Sequence, residues 1–254
     1  MSGPIYRQLL RARTNGPGFL WLIDPDKIDP QNSDPRWQEA HNYGVTAILV
    51  GTSQKCETPF DRHVARIRHH AKLPLILFPG SATQISAYVD AVLFLMLLSG
   101  RNPDYLVGEQ VKGTPAVRDY GIEPIPTGYL LIDTGSETSV VRESRTAPLP
   151  ENDSDAICHH ALCAQYMGQS FVYLEAGSGA GRPVAPHVIE AVKRGIDIPL
   201  IVGGGMRTPE SCADAAAAGA DFVVVGTALE NNRSPDLLRE MTEAVQYAGS
   251  RVGI

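Results

Sequence analysis

Eight short apolar runs, separated by segments with helical character, recur along the whole chain and constrain its fold more than any other feature. Most lack apolar–polar alternation, which is typical of strands buried on both faces of a parallel sheet. The runs are Phe19–Ile23, Val45–Val50, Leu75–Phe78, Ala91–Leu97, Tyr129–Ile132, Phe171–Leu174, Leu200–Val202 and Phe222–Val225. Eight strand–helix units take about 250 residues, and the chain has 254. We therefore predict a single (β/α)8 barrel over residues 1–254.

The segments between the runs carry helix signals, such as Thr208 ahead of Pro209 at a start and Gly219 after an end. The predicted helices are Asp34–Tyr43, Pro59–His70, Asn102–Val111, Ser154–Met167, Ala185–Arg194, Pro209–Ala218 and Pro235–Ala248. The helix after the third strand, Ala82–Val89, is expected to be short or irregular. Gly113–Thr127 and Asp133–Asn152 are predicted to be irregular, and a long loop like the second is usually functional or mobile.

Composition excludes several classes of protein. The net charge of −6 and the lack of a dense Lys/Arg run argue against a nucleic-acid partner. The longest apolar run, Ala91–Leu98, is far shorter than the roughly 20 residues of a membrane-spanning helix. Residues Met1–Arg13 lack the apolar stretch of a secretory signal, and the four cysteines form no C-x-x-C pair. We expect a soluble, cytoplasmic protein.

Glycine-rich loops follow the last three predicted strands. They read Glu175-Ala176-Gly177-Ser178-Gly179, Gly203-Gly204-Gly205-Met206-Arg207 and Gly226-Thr227-Ala228. Glycine allows close backbone approach to a ligand, and successive N–H groups can form a nest for an anion. Barrel enzymes frequently bind phosphate with their last loops. The three loops therefore predict a phosphate site, although a single glycine cluster could equally be a turn or a helix cap.

Carboxylates and hydroxyls stand at the same predicted face. Asp24 ends the first strand and Thr52 and Ser53 end the second, a hard oxygen set that suits Mg²⁺, although Asp24 could instead cap its own turn. Glu175 ends the sixth strand within a glycine loop, where it could accept a proton from a substrate hydroxyl. Its alternative is a structural ion pair with Arg207.

Weaker candidates lie elsewhere. His159, His160 and Cys163 share a predicted helix, and no second Cys/His cluster completes a metal site, so a packing or surface role is favoured. Asp133 closes the fifth strand and could line the site. Arg101, after the fourth strand, could meet a diphosphate at the same rim.

Taken in order, six motifs resemble the geranylgeranylglyceryl phosphate synthase family. They are Leu22-Ile23-Asp24-Pro25-Asp26-Lys27, Val50-Gly51-Thr52-Ser53, Ser99-Gly100-Arg101-Asn102-Pro103, Tyr173-Leu174-Glu175-Ala176-Gly177-Ser178-Gly179, Val202-Gly203-Gly204-Gly205-Met206-Arg207 and Val225-Gly226-Thr227. The Tyr-Leu-Glu lead into a glycine loop is the most specific of them. The resemblance implies a Mg²⁺-dependent prenyltransferase that joins geranylgeranyl diphosphate to the 3-hydroxyl of sn-glycerol 1-phosphate and releases diphosphate, a step of ether phospholipid biosynthesis.

The resemblance also implies roles for individual residues. Asp24 and Ser53 match the metal positions, and Glu175 matches the proposed base. The glycerol phosphate site is implied at Tyr173, Leu174, Glu175, Ala176, Gly177, Ser178, Gly179, Gly204, Gly205, Gly226 and Thr227. One branch of the family has Lys where this chain has Leu22. The Leu-Ile-Asp-Pro-Asp sequence of this chain resembles the other branch, whose members tend to form dimers or hexamers. Thr52 replaces a common glycine, so either Thr52 or Ser53 could face the metal.

Two alternatives and several details stay open at this point. A sugar-phosphate isomerase barrel would share the late phosphate loops, and a binding protein without catalysis would need neither Asp24 nor Glu175. For the prenyltransferase, Phe78, Phe94 and Leu97 are candidates for an apolar groove, and the prenyl length is open. A homodimer or homohexamer and a transient contact with a membrane surface are further expectations.

Overall fold

In the computed structural model, which describes residues 3–27, 33–52, 60–135 and 138–251, eight parallel strands close into a barrel. The strands are β1 (Gly18–Ile23), β2 (Ala47–Val50), β3 (Leu75–Leu77), β4 (Ala91–Leu97), β5 (Glu123–Asp133), β7 (Phe171–Glu175), β8 (Leu200–Gly203) and β9 (Phe222–Val225); β6 (Leu149–Pro150) pairs only with the end of β5. Each barrel strand pairs with the next along the chain, and β9 pairs with β1. The predicted barrel is confirmed.

Ten α-helices are assigned in the described residues. They are α1 (Pro4–Arg13), α2 (Arg36–Glu39), α3 (Phe60–His70), α4 (Glu109–Asp119), α5 (Ser139–Ser144), α6 (Ser154–Tyr166), α7 (Pro186–Gly195), α8 (Pro209–Ala217), α9 (Thr227–Asn231) and α10 (Pro235–Arg251). The predicted helix start at Thr208 is confirmed, since the Thr208 side chain caps α8 by accepting from the Ser211 N–H. None of the helices in the described part of the chain is long and apolar enough to span a membrane.

Two apolar layers explain why the strand runs lack alternation. In β2, Ala47 and Leu49 point into the barrel, whereas Ile48 and Val50 pack against the surrounding helices, and all four side chains are fully buried. The N-terminal helix α1, which the sequence did not predict, places Leu9 in the inner layer. The Glu123 carboxylate at the start of β5 accepts from the Ile5 and Tyr6 N–H groups of α1, at 2.7 and 2.9 Å. Helix α1 thereby closes the N-terminal end of the barrel.

The prediction that Gly113–Thr127 is irregular was wrong. Helix α4 runs to Asp119, and β5 starts at Glu123 and contains both Pro124 and Pro126. The prolines are tolerated because the Pro126 carbonyl accepts from Ser170 N–H on the β7 side, just before β7 begins. Proline has no backbone N–H, so Pro124 and Pro126 cannot donate a hydrogen bond. On their β7 side no strand has yet begun, so no strand hydrogen bond is lost there. The stretch predicted as the long loop Asp133–Asn152 likewise contains α5 and β6.

The wall of the barrel is open between β3 and β4. Only Ile76 and Leu77 of β3 pair with β4, opposite Ala91 and Val92, whereas β4 pairs with β5 along its whole length. The helix expected after β3, Ala82–Val89, is a single 3₁₀ turn, Ala82–Gln84, so the expectation that this element is short or irregular is confirmed. The outer flank of β4 is therefore thinly covered, and Phe94 and Met96 are only partly buried.

Candidate functional site

A cavity of about 550 Å³ opens at the C-terminal ends of the barrel strands. Its polar part contains the glycine loops after β7, β8 and β9, together with the ends of β1 and β2. Its apolar part extends along β3 and β4 toward α4. Polar residues at the glycine-loop end include Asp24, Lys27, Thr52, Tyr129, Tyr173, Glu175, Ser178, Arg207, Thr227 and Glu230. Ser81, Tyr105, Glu109, Gln110, Glu143, Ser144, Asn231 and Asn232 are further polar residues of the cavity lining.

The glycine loops fold tightly around one carboxylate. The Gly177 N–H donates to Glu175 Oε1 at 2.6 Å, within the loop after β7. Gly204, after β8, has a φ of +81°, and a Cβ at that position would lie 2.3 Å from Glu175 Oε1. Only glycine fits this left-handed position beside the carboxylate. Gly179, Gly205, Gly226 and Thr227 also line this end of the cavity, so the three predicted loops do converge.

Glu175 is a buried acid at the end of β7, with 5% of its surface exposed. Burial raises its pKa from 4.5 to about 7, against the opposing effects of the Gly177 N–H and the nearby Tyr173 hydroxyl. The alternative ion pair with Arg207 is not formed, because the Arg207 guanidinium donates to the Ala180 carbonyl at 3.1 Å. Glu175 can therefore exchange a proton near neutral pH.

Three aromatic rings form the floor beneath Glu175. Tyr173 stacks on Phe78 with 5.2 Å between ring centroids, and Tyr129 lies 5.3 Å from Tyr173. Burial and the nearby Glu175 carboxylate raise the pKa of both tyrosines well above 10, so both hydroxyls carry their protons. The buried Tyr173 hydroxyl lies next to the Glu175 carboxylate but meets none of the described residues in full hydrogen-bond geometry. It is thus available to a polar ligand in the cavity.

A second polar cluster lies at the end of β1. Asp24 accepts from the Asp26 N–H at 3.1 Å, so it does cap its own turn, and its carboxylate still lines the cavity. Burial raises the pKa of Asp24. Lys27 Nζ lies 3.5 Å from Asp24 Oδ2 and 2.7 Å from Glu230 Oε2, and the Asp24 N–H also donates to Glu230. Asp24 and Thr52 both line the cavity; Ser53 lies outside the described residues.

The apolar arm of the cavity passes through the opening in the barrel wall. It is lined by Leu93, Leu95 and Leu97, which face the barrel interior, and also by Val92 and Phe94, which face outward. Because successive strand residues point to opposite faces, a cavity that touches both sets must cross the plane of the sheet. Ile85 and Gly113 line its outer part. The predicted groove residues Phe78, Phe94 and Leu97 all line the cavity.

Several predicted residues lie away from the cavity. Leu174 and Ala176 point into the layer between sheet and helices, so only their backbone could meet a ligand. Arg101 donates to the Leu98 and Gly100 carbonyls and lies 3.3 Å from His160, so the expectation that it faces a diphosphate at the rim was wrong. Asp133 is exposed and accepts from Gly135 N–H.

The histidines of α6 do not form a metal site, and the described residues contain no group of three or more Cys, His, Asp or Glu that could hold a metal. Sequence reasoning missed Glu230. It lies in α9, four residues after Gly226, and no motif distinguishes it from a surface acid. Only its contacts with Asp24 and Lys27, more than 200 residues earlier, connect it to the site.

Comparisons with known proteins agree with this geometry. The model of the PcrB family matches residues 8–245. A geranylgeranylglyceryl phosphate synthase of Flavobacterium johnsoniae is 42% identical over 229 residues, which cover 90% of this chain and 94% of that protein. The enzyme of the same name from Thermococcus kodakarensis is 45% identical over 87% of this chain and 88% of its own.

A solved structure is similarly close. The (S)-3-O-geranylgeranylglyceryl phosphate synthase of Thermoplasma acidophilum, crystallised with its substrate sn-glycerol-1-phosphate, superposes with a TM-score of 0.89. It is 37% identical in sequence, and the match covers 97% of this chain and 100% of that one.

Proposed function

The chain belongs to the PcrB family, alongside the geranylgeranylglyceryl phosphate synthases, and on that premise we propose that it joins geranylgeranyl diphosphate to the 3-hydroxyl of sn-glycerol 1-phosphate. The products are geranylgeranylglyceryl phosphate and diphosphate. The family assignment sets aside the isomerase and the non-catalytic binding protein. The observation that carries the proposal is Glu175, a buried carboxyl with a pKa of about 7 that is enclosed by the glycine loops.

The glycine loops would hold the phosphate of sn-glycerol 1-phosphate. The loops of Gly177–Gly179, Gly204–Gly205 and Gly226–Thr227 line one end of the cavity, and exposed backbone N–H groups suit a phosphate dianion. A substrate held there would have its glycerol hydroxyls beside Glu175 and the Tyr173 hydroxyl, which both line the cavity. Glu175 accepts the proton of the attacking hydroxyl, and a base with a pKa near 7 suits this role at neutral pH.

The cluster at the end of β1 fits a Mg²⁺ ion with the diphosphate. Mg²⁺ is bound through one or two carboxylates, with water and substrate phosphates as its other ligands. Asp24, with Thr52 or Ser53, offers that kind of oxygen set at the cavity wall. When bound, Mg²⁺ neutralises charge on the departing diphosphate. Asp24 and Glu175 line the same cavity, so the diphosphate and the glycerol phosphate would meet within it.

The apolar arm would hold the prenyl chain. An allylic diphosphate anchored near Asp24 can extend its hydrocarbon between Phe78 and Phe94 and out through the opening between β3 and β4. Burial of that chain excludes water from the reacting carbon, which favours transfer to glycerol over hydrolysis. Since the outer part of the arm runs between Ile85 and Gly113, these residues are the candidates for setting chain length.

The remaining expectations concern the setting of the enzyme. We propose a cytoplasmic homodimer or homohexamer that contacts a membrane surface transiently, as its lipid substrate and product suggest. Tyr166 and Met167, exposed at the end of α6, are candidates for a contact between subunits. Light scattering of the purified protein would measure the assembly, and a monomeric mass would contradict it.

The reaction is tested directly with purified protein, Mg²⁺, radiolabelled sn-glycerol 1-phosphate and a series of prenyl diphosphates from C10 to C35. We expect an organic-extractable product, with geranylgeranyl diphosphate as the preferred donor. Radiolabelled sn-glycerol 3-phosphate is the matched control for stereochemistry. The absence of transfer with every donor would refute the proposal, whereas a preference for another donor would correct only the chain length.

A further inference from the structure

We propose that Lys27 binds the diphosphate of the prenyl donor, and that Glu230 is the positioning residue that holds the Lys27 side chain at the cavity wall. This inference rests on the proposed function and assigns two residues to it. It follows from the geometry at the end of β1, where the two residues meet within the cavity that also contains Asp24.

The contacts place the Lys27 ammonium between two carboxylates. Lys27 Nζ is 2.7 Å from Glu230 Oε2 and 3.5 Å from Asp24 Oδ2, whose side chains are only 15% and 17% exposed. The Lys27 side chain itself is 47% exposed. An ammonium has three N–H donors, so the two carboxylates leave one donor for a phosphate oxygen on the open side.

The charges at this end of the cavity favour such a cation. Asp24 and Glu230 together repel a diphosphate, and a Mg²⁺ ion at Asp24 offsets only part of its charge. Of the described residues that line the cavity, Lys27 and Arg207 are the two cations. Arg207 is bonded to the Ala180 carbonyl in the glycine loops, so Lys27 is the cation that faces the diphosphate end.

Glu230 fixes the direction of Lys27. One carboxylate oxygen binds the ammonium, and the other accepts from the Asp24 N–H at 3.3 Å. Glu230 therefore links α9, which begins at Thr227 of the phosphate loop, to the turn that carries Asp24 and Lys27. If Mg²⁺ engages Asp24, the shorter contact with Glu230 still keeps Lys27 at the cavity wall.

The test is a titration of the whole enzyme with inorganic diphosphate and Mg²⁺ by calorimetry, beside steady-state kinetics. We expect Lys27→Met to weaken diphosphate binding by at least about tenfold, as for loss of a charge-assisted hydrogen bond, and to raise KM for the prenyl donor by a similar factor. Affinity for sn-glycerol 1-phosphate should not change. Lys27→Arg, which keeps the charge, should retain most of the diphosphate affinity.

Lys112→Met is the matched control. Lys112 Nζ also lies 2.7 Å from a carboxylate, that of Glu109, but Lys112 is on the exposed side of α4 and does not line the cavity. We expect it to leave diphosphate affinity unchanged. Lys27→Gln is a second neutral variant that keeps a polar side chain, and thermal melting shows whether each variant is folded.

A double-mutant cycle tests the positioning role. Glu230→Gln should weaken diphosphate binding when Lys27 is present, because Lys27 then loses the carboxylate that holds it. In the Lys27→Met background the same change should not weaken binding, because it then only removes a negative charge that repels the diphosphate. An equal effect in both backgrounds would overturn that role. Wild-type diphosphate affinity in folded Lys27→Met and Lys27→Gln would overturn the binding role, whereas a wild-type enzyme without prenyl transfer would instead overturn the proposed function.

Discussion

The protonation of Glu175 should be visible in the stability of the protein, and Glu175→Gln is the variant that reveals it. Glutamine resembles the protonated carboxyl in size and polarity but cannot ionise. Glu175 is 5% exposed, and burial raises its pKa from 4.5 to about 7. The folded enzyme therefore holds a proton that the unfolded chain releases at lower pH.

The size of the effect follows from the pKa values. One pKa unit corresponds to about 1.4 kcal/mol, so a rise from 4.5 to about 7 corresponds to roughly 3 kcal/mol. Between these two values the unfolded state binds fewer protons, so stability falls as pH rises. The contribution of Glu175 is fully present below about pH 4.5, is lost as pH rises through about 7, and is then constant.

Urea denaturation at several pH values provides the assay. Relative to wild type, Glu175→Gln should gain roughly 3 kcal/mol between pH 4.5 and pH 8, even as its rate of prenyl transfer falls by about 10²-fold or more through loss of the base. Glu240→Gln, on the exposed face of α10, controls for the substitution itself. A stability difference that does not change with pH would refute the reasoning about burial, and an unchanged rate would remove Glu175 as the base.

Three further predictions concern other parts of the site. Gly204→Ala, whose Cβ would lie 2.3 Å from Glu175 Oε1, should weaken sn-glycerol 1-phosphate binding at least about tenfold in a calorimetric titration. Gly113→Leu should shift the ratio of kcat/KM toward shorter prenyl donors, whereas Gly113→Ala should not, because its Cβ would lie 3.6 Å from Ile85, an ordinary contact. Chelation of Mg²⁺ with EDTA should abolish transfer, and added Mg²⁺ should restore it.

The barrel was predictable because its determinants are local. Runs such as Phe222–Val225 are buried on both faces, and that burial shows as continuous apolar sequence. Glycines such as Gly204 mark positions with positive φ, so the loop that encloses Glu175 could also be predicted from the sequence. The start of β5 was not predictable, since Pro124 and Pro126 argue against a central strand, and only the late start of β7 makes them acceptable there.

Long-range contacts were not predictable. Glu230 contacts Lys27 across 203 positions of sequence, and no sequence pattern around either residue predicts that contact. Arg101 shows the opposite failure. It belongs to a motif that suggested a diphosphate contact, but its guanidinium donates hydrogen bonds to the Leu98 and Gly100 carbonyls. A motif therefore places a residue near a site without fixing where its side chain points.

The opening between β3 and β4 explains how a small barrel can accept a long hydrocarbon. The interior of an eight-stranded barrel is filled by its own side chains, and here Leu49, Ile76 and Leu131 fill it. A prenyl chain must therefore leave the barrel. Because β3 stops at Leu77 and no α-helix follows it, the upper half of β4 lacks a neighbour on that side and can be reached from both faces. The missing helix, which in most barrels would cover this flank, thus provides the space that the proposed substrate needs.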